Sequence, residues 1–385
     1  MYILGINATN IREGGGVTHL VELLKNVEPE KHGFTKVIVW SNRTTLGKVQ
    51  DRDWLVKLYN SQTDGSLLKR TYWQLFHLKK EAKYLGCDLL FSPGGMDVSG
   101  FKPMVTMHRN LLPFELVEVW RYKLSMSTVK FIILRFFQSI SYKGADGVIF
   151  LTRYAQNSAL KVTGLLKGSI AVIPHGVDRR FFIPPRSQKS VSDYSVEKPI
   201  RLIYVSSIEP YKHQWNVVEA VSALRKNNIP VTLDLFGSSY SPSLRKLQLS
   251  MNKFDPFNDY VKYHGVVEHG YIHKEYLKAD IAIFASSCET FGQILIEGMA
   301  AGLPIACSNL SAMPELLGDN GVYFNPTDPK SIEVSLSKII FSTELRSKKS
   351  FSSFQSAKQF SWDKCSDDTF KFLKSCLENF YRKEG

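Results

Sequence analysis

Short apolar segments alternate with longer segments of helical periodicity along most of this chain. In the first half, strands are predicted at Tyr2–Ile6, Val37–Trp40, Leu89–Phe91, Met104–Thr106, Gly147–Leu151 and Ile170–Ile173. In the second half, they are predicted at Ile200–Val205, Val231–Phe236, Val261–Tyr263, Ile281–Ala285, Ile305–Cys307 and Val322–Phe324. Helices are predicted at Val17–Lys25, Leu67–Leu85, Arg153–Lys161 and Trp362–Arg382. Such alternation is typical of parallel sheets flanked by helices, so we predict an α/β fold.

The length of the chain predicts more than one domain, because 385 residues exceed the usual size of a single domain. Residues 188–198 are polar, rich in serine and charge, and show no periodicity. We interpret them as a linker between a first domain at 1–187 and a second domain at 199–360. Residues 361–385 carry the last predicted helix.

Charge and cysteine content narrow the class of protein. The net charge is +13, from 49 Lys and Arg against 36 Asp and Glu, and it favours nucleic acid, anionic lipid or phosphate-bearing substrates as partners. The five cysteines are scattered without metal-ligand spacing, which indicates free thiols in a reducing compartment. The first residues do not resemble a secretory leader, and no segment has the roughly 20 apolar residues of a membrane-spanning helix. We therefore expect a cytoplasmic protein, soluble or peripheral to a membrane.

The stretch from Cys288 to Ile305 carries the most specific chemical pattern. It contains two carboxylates, Glu289 and Glu297, and Gly292 opens a helix-like run between them. A strand that leads through a tight loop into a helix favours anions, because the helix dipole and the unpaired backbone N–H groups both attract negative charge. One carboxylate can then face a sugar and the other a ribose diol, with a diphosphate between them. The alternative is an ordinary strand–helix turn with two solvated glutamates.

The same stretch has Thr290, Phe291 and Gly292 inside the glutamate pair. In this it resembles the signature of the retaining GT-B glycosyltransferases of the family 4 type, also called glycosyl transferases group 1. Two further segments, Tyr323–Asp328 and Phe360–Asp363, fit the end of the second domain in that family. The resemblance extends over nearly the whole chain, although its specific motifs lie in the second half.

The resemblance implies a GT-B fold, in which two Rossmann-like parallel-sheet domains face each other across a cleft. The first domain would be on the acceptor side, the second would bind the nucleotide sugar, and the last helix would return to the first domain. By resemblance, Glu289 contacts the donor sugar as a catalytic residue and Glu297 binds the ribose hydroxyls. Thr290, Phe291 and Gly292 would belong to the donor-binding loop, and no metal would be required.

Two features of the first half are candidates for the same site. Gly14, Gly15 and Gly16 follow the first strand, and successive glycines let a backbone approach phosphate closely. His108 follows the strand Met104–Thr106, and ligands of open α/β sheets collect at the carboxyl ends of strands. By resemblance, Gly15 and Gly16 contact the donor diphosphate or the acceptor, and His108 is a catalytic residue that hydrogen-bonds the sugar. The alternatives are a flexible loop and a surface histidine.

The segment after the strand Ile200–Val205 matches the family pattern only in part. Lys212 occupies the position of the phosphate-binding lysine, with a solvated loop lysine as the alternative. Ser207 stands where an arginine is expected, and a serine hydroxyl offers neither a charge nor a fork of donors. Either another base, such as Arg109 or Arg153, supplies the charge, or the diphosphate is held less strongly.

The stretch from Phe114 to Tyr142 combines large apolar side chains with basic ones and has acidic residues only near its start. This composition is compatible with an amphipathic helix at a membrane interface. It is equally compatible with a partly buried helix whose lysine and arginine stems cover apolar surface. Membrane contact would be consistent with a polyprenyl-diphosphate-linked acceptor.

The sequence therefore predicts an enzyme that transfers a sugar from a nucleotide-diphosphate sugar to a hydroxyl of a glycan or lipid-linked glycan, with retention. A role in surface polysaccharide synthesis, such as O-antigen or capsule, is expected from the resemblance. One alternative is a sugar-nucleotide epimerase or hydrolase on the same fold. Another is a non-catalytic protein that binds nucleic acid or membrane, although no nucleic-acid-binding motif occurs and the basic residues are dispersed.

Overall fold

The computed structural model describes residues 1–384 and divides the chain into two compact units. The first unit contains Met1–Leu116, Leu124–Gly176 and the residues from Ser361 onward. The second unit contains Val117–Lys123 and Val177–Phe360. Residues 188–198, expected to be a linker, lie within the second unit. Seven residues from the first half of the chain also belong to it.

The first unit is built on a seven-stranded parallel sheet with the order β3-β2-β1-β4-β5-β6-β7. Its strands are β1 Tyr2–Asn7, β2 Phe34–Ser41, β3 Leu55–Tyr59, β4 Leu89–Ser92, β5 Met104–Met107, β6 Gly147–Phe150 and β7 Ser169–Val172. Strand β3 is absent from the sequence-based prediction, which was wrong in omitting it. The strand lies at the sheet edge and is only partly buried, so it lacks the continuous apolar run of its neighbours.

Helices cover both faces of this sheet. Those of the first unit are α1 Gly15–Lys25, α2 Arg43–Leu46, α3 Ser61–Asp64, α4 Leu67–Trp73, α5 Lys79–Tyr84, α7 Met126–Gly144 and α8 Arg153–Thr163, whereas α6 Leu116–Trp120 belongs to the second unit from Val117 onward. A π-helical turn at Gln74–Leu78 joins α4 to α5, so that one continuous helix runs from Leu67 to Tyr84 as predicted. The apolar core on that side of the sheet includes Trp40, Trp73 and Tyr142.

Helix α7 has an inverted burial pattern. Its buried residues are polar or amphipathic, namely Thr128, Gln138, Ser141 and Tyr142. Its exposed residues include the apolar set Val129, Ile132, Ile133, Phe136, Phe137 and Ile140. The side chain of Phe136 is 63% exposed, whereas a helix of this length in a globular protein normally turns such residues inward. This helix therefore presents an apolar stripe to solvent.

The second unit is built on a six-stranded parallel sheet with the order β10-β9-β8-β11-β12-β13. Its strands are β8 Ile200–Val205, β9 Val231–Phe236, β10 Val261–Tyr263, β11 Ile281–Phe284, β12 Ile305–Ser308 and β13 Val322–Phe324. Its helices are α9 Gln214–Lys226, α10 Ser241–Phe254, α11 Ile272–Lys278, α12 Gln293–Ala300, α13 Met313–Leu317, α14 Pro329–Phe341 and α15 Thr343–Ala357. Both sheets confirm the prediction of an α/β protein with two Rossmann-like domains.

The last helix, α16 Trp362–Glu384, packs within the first unit against α1. Phe370 lies edge-on to Phe34 of β2, with ring centroids 5.9 Å apart, and Leu373 and Leu377 are fully buried. None of the helices among residues 1–384 is both long and apolar enough to span a membrane.

All five cysteines are free thiols with buried side chains. Burial raises the pKa of Cys87, Cys365 and Cys376 to about 12. It also raises the pKa of Cys307 well above its usual value. These thiols remain protonated at neutral pH.

Candidate active site

The loop between β11 and α12 positions the predicted glutamate pair. Gly292 caps α12 with φ +76°, a left-handed conformation that glycine adopts without strain. A β-carbon at this position would lie 2.7 Å from Cε of Met313, so the turn has no space for a side chain. A β-carbon on Gly298, further along α12, would lie only 3.4 Å from Cβ of Ala282. The absence of a side chain at Gly298 lets the helix pack closely on the sheet. The loop and helix are thereby fixed relative to the strand.

Glu289 is held on both its side chain and its backbone. Its Oε1 accepts a hydrogen bond from Ser286 Oγ at 2.8 Å and forms an ion pair with Lys212 Nζ. Its backbone N–H donates to Ser311 Oγ at 2.8 Å, and that hydroxyl donates back to the Glu289 carbonyl oxygen at 3.0 Å. The carboxylate is thus oriented by the ends of β11 and β12 together.

Lys212 lies on a short 3₁₀ turn after β8 and is buried. Tyr204 of β8 donates from its hydroxyl to the Lys212 carbonyl oxygen at 2.8 Å, which anchors the turn to the sheet. Because the ammonium and the Glu289 carboxylate are largely removed from water, each depends on the other for charge compensation. An incoming phosphate would compete with Glu289 for the ammonium and release the carboxylate for other partners.

Glu297, on α12, is almost completely buried, at 1% exposure. Burial raises the pKa of its carboxyl group, while the hydrogen bond from His269 and the charge of Arg180 lower it. Its Oε1 lies 3.1 Å from His269 Nε2. Its Oε2 is buried without a hydrogen-bond partner in the part of the chain that the structure describes. A buried carboxylate oxygen without a partner is costly, which marks it as a position where a ligand can donate a hydrogen bond.

The two residues between the glutamates are largely enclosed. Phe291 is buried, and its ring meets that of Phe360 edge-on with centroids 5.7 Å apart. Thr290 is also buried. Phe291 is therefore engaged in packing that supports the loop, while its role and that of Thr290 in donor binding remain predictions.

In the first unit, Gly15 and Gly16 form the first turn of α1, and Gly14 caps it with φ +62°. The predicted loop is thus partly helical. A β-carbon at Gly15 would meet nothing within 4 Å, whereas one at Gly16 would lie 3.3 Å from Nη1 of Arg109. A guanidinium group consequently lies at the N-terminus of this helix, where both favour an anion.

His108 is fully buried in the first unit at the end of β5. Its Nδ1 lies 3.0 Å from the hydroxyl oxygen of Tyr142, and its Nε2 has no hydrogen-bond partner among residues 1–384. Burial lowers the pKa of His108 to about 3, so the ring is neutral at physiological pH. A neutral ring of such low basicity can exchange hydrogen bonds with a sugar but is a poor general base.

In the second unit, the structure thus brings Lys212 and Glu289 into direct contact. Glu297 lies on α12, the helix that follows the loop containing Glu289. Ser207 contributes its carbonyl oxygen, which accepts from Gln214 Nε2 at 2.9 Å. The candidate replacements for the expected arginine, Arg109 and Arg153, belong to the first unit.

Sequence reasoning missed several supporting residues. Ser286 and Ser311 hold Glu289, and His269 holds Glu297. Ser287 donates its hydroxyl proton to Glu118 Oε2 at 2.8 Å and accepts from His213 Nε2 at 2.9 Å. Adjacency to Glu289 could have drawn attention to the two serines before it, but nothing in the sequence connects His269 with a residue 28 positions away. Among the described residues, no three His, Cys, Asp or Glu side chains are grouped so as to hold a metal ion.

Residues 186–350 match the model of a protein family described as glycosyl transferases group 1, and this range lies within the second unit. The O-antigen chain mannosyltransferase B of Escherichia coli is 25% identical over 172 residues, which are 45% of this chain and 45% of that protein. The chain aligns with about half the length of the curated relatives it matches.

Solved structures match along nearly the whole chain. Sucrose-phosphate synthase from Thermosynechococcus elongatus has a TM-score of 0.75 at 16% identity, covering 98% of this chain and 100% of that one. The Anabaena protein HepE, solved with UDP and glucose, has a TM-score of 0.71 at 17% identity, covering 97% and 100%. Similarities at these identities establish the fold, and they confirm the prediction of a GT-B fold.

Proposed function

Because residues 186–350 match the family model described as glycosyl transferases group 1, we propose that this chain is a retaining glycosyltransferase. It would transfer a sugar from a nucleotide-diphosphate sugar to a hydroxyl of a glycan or lipid-linked glycan. The observation that carries this proposal is the buried Lys212–Glu289 pair, which precedes a helix bearing a carboxylate oxygen of Glu297 without a partner. The Lys212 ammonium would bind the diphosphate, the Glu289 carboxylate would contact the sugar, and the Glu297 carboxylate would bind the ribose.

The proposed chemistry requires charge stabilisation as the sugar leaves its phosphate. Positive charge develops at the anomeric carbon, and negative charge develops on the departing diphosphate. Lys212 and the N-terminus of α12 would stabilise the diphosphate, and Glu289 would orient the sugar and face the positive centre. We retain His108, Gly15 and Gly16 as proposed site residues within the first unit. These groups supply the positive potential that a metal ion provides in other transferases, so we propose that catalysis needs none.

The donor site is tested by thermal unfolding with UDP, GDP and ADP and their common sugar conjugates. A ligand that binds only the folded protein raises its melting temperature. We expect one nucleotide to raise it, and we expect Glu297→Ala to reduce the effect. Glu344→Ala, an exposed change on α15, is the matched control and should keep the full shift. If no nucleotide changes the melting temperature, the proposed donor site is wrong.

The reaction type is tested by following donor consumption with and without acceptor. A glycosyltransferase releases the nucleoside diphosphate rapidly only when an acceptor hydroxyl is present. Rapid release of sugar to water, or its conversion to an epimer without acceptor, would support the alternative of a hydrolase or epimerase. Product stereochemistry at the anomeric carbon, measured by NMR, would test retention.

We further propose that the protein acts at the inner face of a cell membrane, on a polyprenyl-diphosphate-linked glycan in surface polysaccharide synthesis. The name of the Escherichia coli relative supports the pathway. The inverted helix α7 supports the location, because its exposed stripe is apolar and its basic residues, Lys130, Arg135 and Lys143, are accompanied by no Asp or Glu within the helix. Apolar area combined with positive charge is the pattern of helices that bind anionic lipid surfaces.

The membrane proposal is tested by co-sedimentation with vesicles of phosphatidylcholine, with and without phosphatidylglycerol. We expect binding that needs the anionic lipid and that weakens in Ile132→Ser/Phe136→Ser and in Lys130→Glu/Lys143→Glu. Arg135 is unsuitable for charge reversal, since its Nη1 donates to the Pro113 carbonyl oxygen at 3.1 Å. Lys338→Glu/Lys348→Glu, two exposed changes in the second unit, is the charge-matched control. Unchanged binding in both α7 variants, or dimerisation through α7 in solution, would overturn the proposal.

A further inference from the structure

We propose that His269 and Arg180 are positioning residues that orient Glu297 as a hydrogen-bond acceptor and so confer selectivity for ribose over 2′,3′-dideoxyribose. The inference rests on the proposed function, because it assigns the nucleotide ribose to Glu297. It concerns residues outside the glutamate motif, on two segments that are remote from it in the sequence. Arg180 follows the turn at Asp178, and His269 precedes α11.

The geometry is a chain of three side chains. Arg180 Nη2 lies 2.8 Å from His269 Nδ1, and His269 Nε2 lies 3.1 Å from Glu297 Oε1. The ring of Phe181 packs against the imidazole with centroids 5.5 Å apart. Asp178 Oδ2 lies 3.6 Å from Arg180 Nη2 and steadies the guanidinium. Arg180 and His269 are thus each fixed on more than one side.

The hydrogen bonds among these three side chains determine which nitrogen of His269 carries the proton. A guanidinium group can only donate hydrogen bonds, so Nδ1 of the ring must accept from Arg180. In the neutral imidazole the single proton is then on Nε2, which donates it to Glu297 Oε1. The neutral imidazole is therefore sufficient to orient the carboxylate. A doubly protonated ring would instead place an N–H group at Nδ1, facing the donating guanidinium.

The hydrogen bond from His269 also determines which oxygen of Glu297 is left for a ligand. With Oε1 occupied by His269, Oε2 is the buried acceptor that has no partner in the described part of the chain. A ribose hydroxyl that donates to Oε2 would complete its hydrogen bonding. A dideoxyribose cannot do this and would leave the buried oxygen without a partner, which is the condition that gives strong discrimination.

The ionisation of Glu297 is balanced by the groups around it. Burial raises the pKa of Glu297, and nearby Asp178 raises it further, whereas the hydrogen bond from His269 and the charge of Arg180 lower it. Tyr276 of α11 faces the same carboxylate, and its own pKa is raised chiefly by burial. Removing His269 should therefore raise the pKa of Glu297, so that a neutral carboxyl group, a weaker acceptor, appears at higher pH than in the wild type.

The test compares affinities for a ribonucleoside diphosphate and its 2′,3′-dideoxy counterpart, by calorimetry across a pH series. UDP, GDP and ADP are each used with the dideoxy form of the same base. In the wild type we expect the ribonucleotide to bind more tightly by at least tenfold, the order of one hydrogen bond to a charged group. In His269→Ala, we expect affinity for the ribonucleotide to fall about tenfold, with little change for the dideoxy form. As the pH is lowered, His269→Ala should lose its affinity for the ribonucleotide at a higher pH than the wild type does.

Two further variants separate positioning from folding. His269→Gln keeps an N–H donor towards Glu297 and should recover most of the discrimination, whereas a merely structural role would not distinguish Gln from Ala by ligand. Arg180→Met should retain binding but weaken discrimination, because the ring is then free to adopt the other tautomer. Discrimination that disappears in Glu297→Ala but persists in His269→Ala would overturn this inference and leave the proposed function intact. If the wild type binds no ribonucleotide, the proposed function fails and this inference fails with it.

Discussion

Glu297 combines a structural cost with a proposed binding role. It is a buried carboxylate whose pKa is raised by burial, so ionising it costs more in the folded than in the unfolded protein. Such a group lowers the free energy of unfolding as the pH rises above its usual value of 4.5. Proteins keep groups of this kind at sites where a ligand later compensates them.

Replacing Glu297 by Gln should therefore stabilise the ligand-free protein while weakening nucleotide binding. The amide has nearly the same shape, can still accept from His269, and removes the buried charge. We expect the melting temperature of Glu297→Gln to exceed that of the wild type near pH 7.5, and the difference to shrink as the pH falls and the wild-type carboxylate is protonated. A variant that is less stable at every pH would contradict this interpretation.

The Lys212–Glu289 pair should behave as a unit. Replacing Lys212 by Met leaves Glu289 with no ammonium partner, and breaking a buried ion pair in this way costs about 3–5 kcal/mol of unfolding free energy. The double variant Lys212→Met/Glu289→Gln removes both charges and should recover much of this loss, although it should have no transferase activity. Urea unfolding of the two single variants and the double variant measures the coupling; additive effects would show that the two charges do not depend on each other.

At the residue scale, a local motif singles out Glu289, Glu297 and Lys212 as candidate site residues. It did not predict their partners. Ser311 reaches Glu289 from the end of another strand, and His269 reaches Glu297 from a loop. Such contacts depend on how strands are ordered in the sheet, which leaves no local pattern in the sequence.

At the scale of elements, α7 is the case in which the sequence left two interpretations open. Its composition allowed a partly buried helix or an interfacial one, and its burial pattern exposes the apolar stripe. Strand β3 was omitted from the prediction for a related reason, since Leu55–Tyr59 is an edge strand with partly exposed side chains. The hydrophobicity of a side chain predicts its burial in the protein core only if that core is the only apolar environment available to it.

The exposed stripe of α7 should contribute little to folding. Polar substitution at Ile132 or Phe136 should change the free energy of unfolding by no more than about 0.5 kcal/mol, as for other surface positions. Tyr142→Ala, on the buried side of the same helix, should cost about 3–5 kcal/mol, as for large aromatic residues in a core. Chemical unfolding measures both, and a large loss in the Ile132 or Phe136 variants would show that the stripe is covered in the folded protein.

At the scale of the whole molecule, the alternation of strands and helices was sufficient to predict an α/β protein with two Rossmann-like domains. It could not predict that Val117–Lys123 belongs to the second unit. That segment is fixed by tertiary hydrogen bonds, such as the one from the Tyr122 hydroxyl to Glu209 at 2.9 Å. A cut between Gly176 and Val177 would therefore leave the second unit without part of its structure.

Removing the residues from Ser361 onward should unfold the first unit preferentially. The deletion takes away Phe370, Leu373 and Leu377, and burying each such side chain stabilises a protein by about 1.5–3 kcal/mol. Hydrogen exchange should report loss of protection in β1 and β2, while β8 and β11 keep theirs. Equal loss in both units would show that their stabilities are coupled.

Because all five cysteines are buried, we expect the folded protein to react slowly with sulfhydryl reagents. Maleimide modification of the native chain would then proceed only through unfolding, and its rate would measure how often each cysteine-bearing segment opens. A cysteine introduced at exposed Lys348 would be the one fast-reacting position, so the natural sequence can serve without further substitution as a background for site-specific fluorescent labelling.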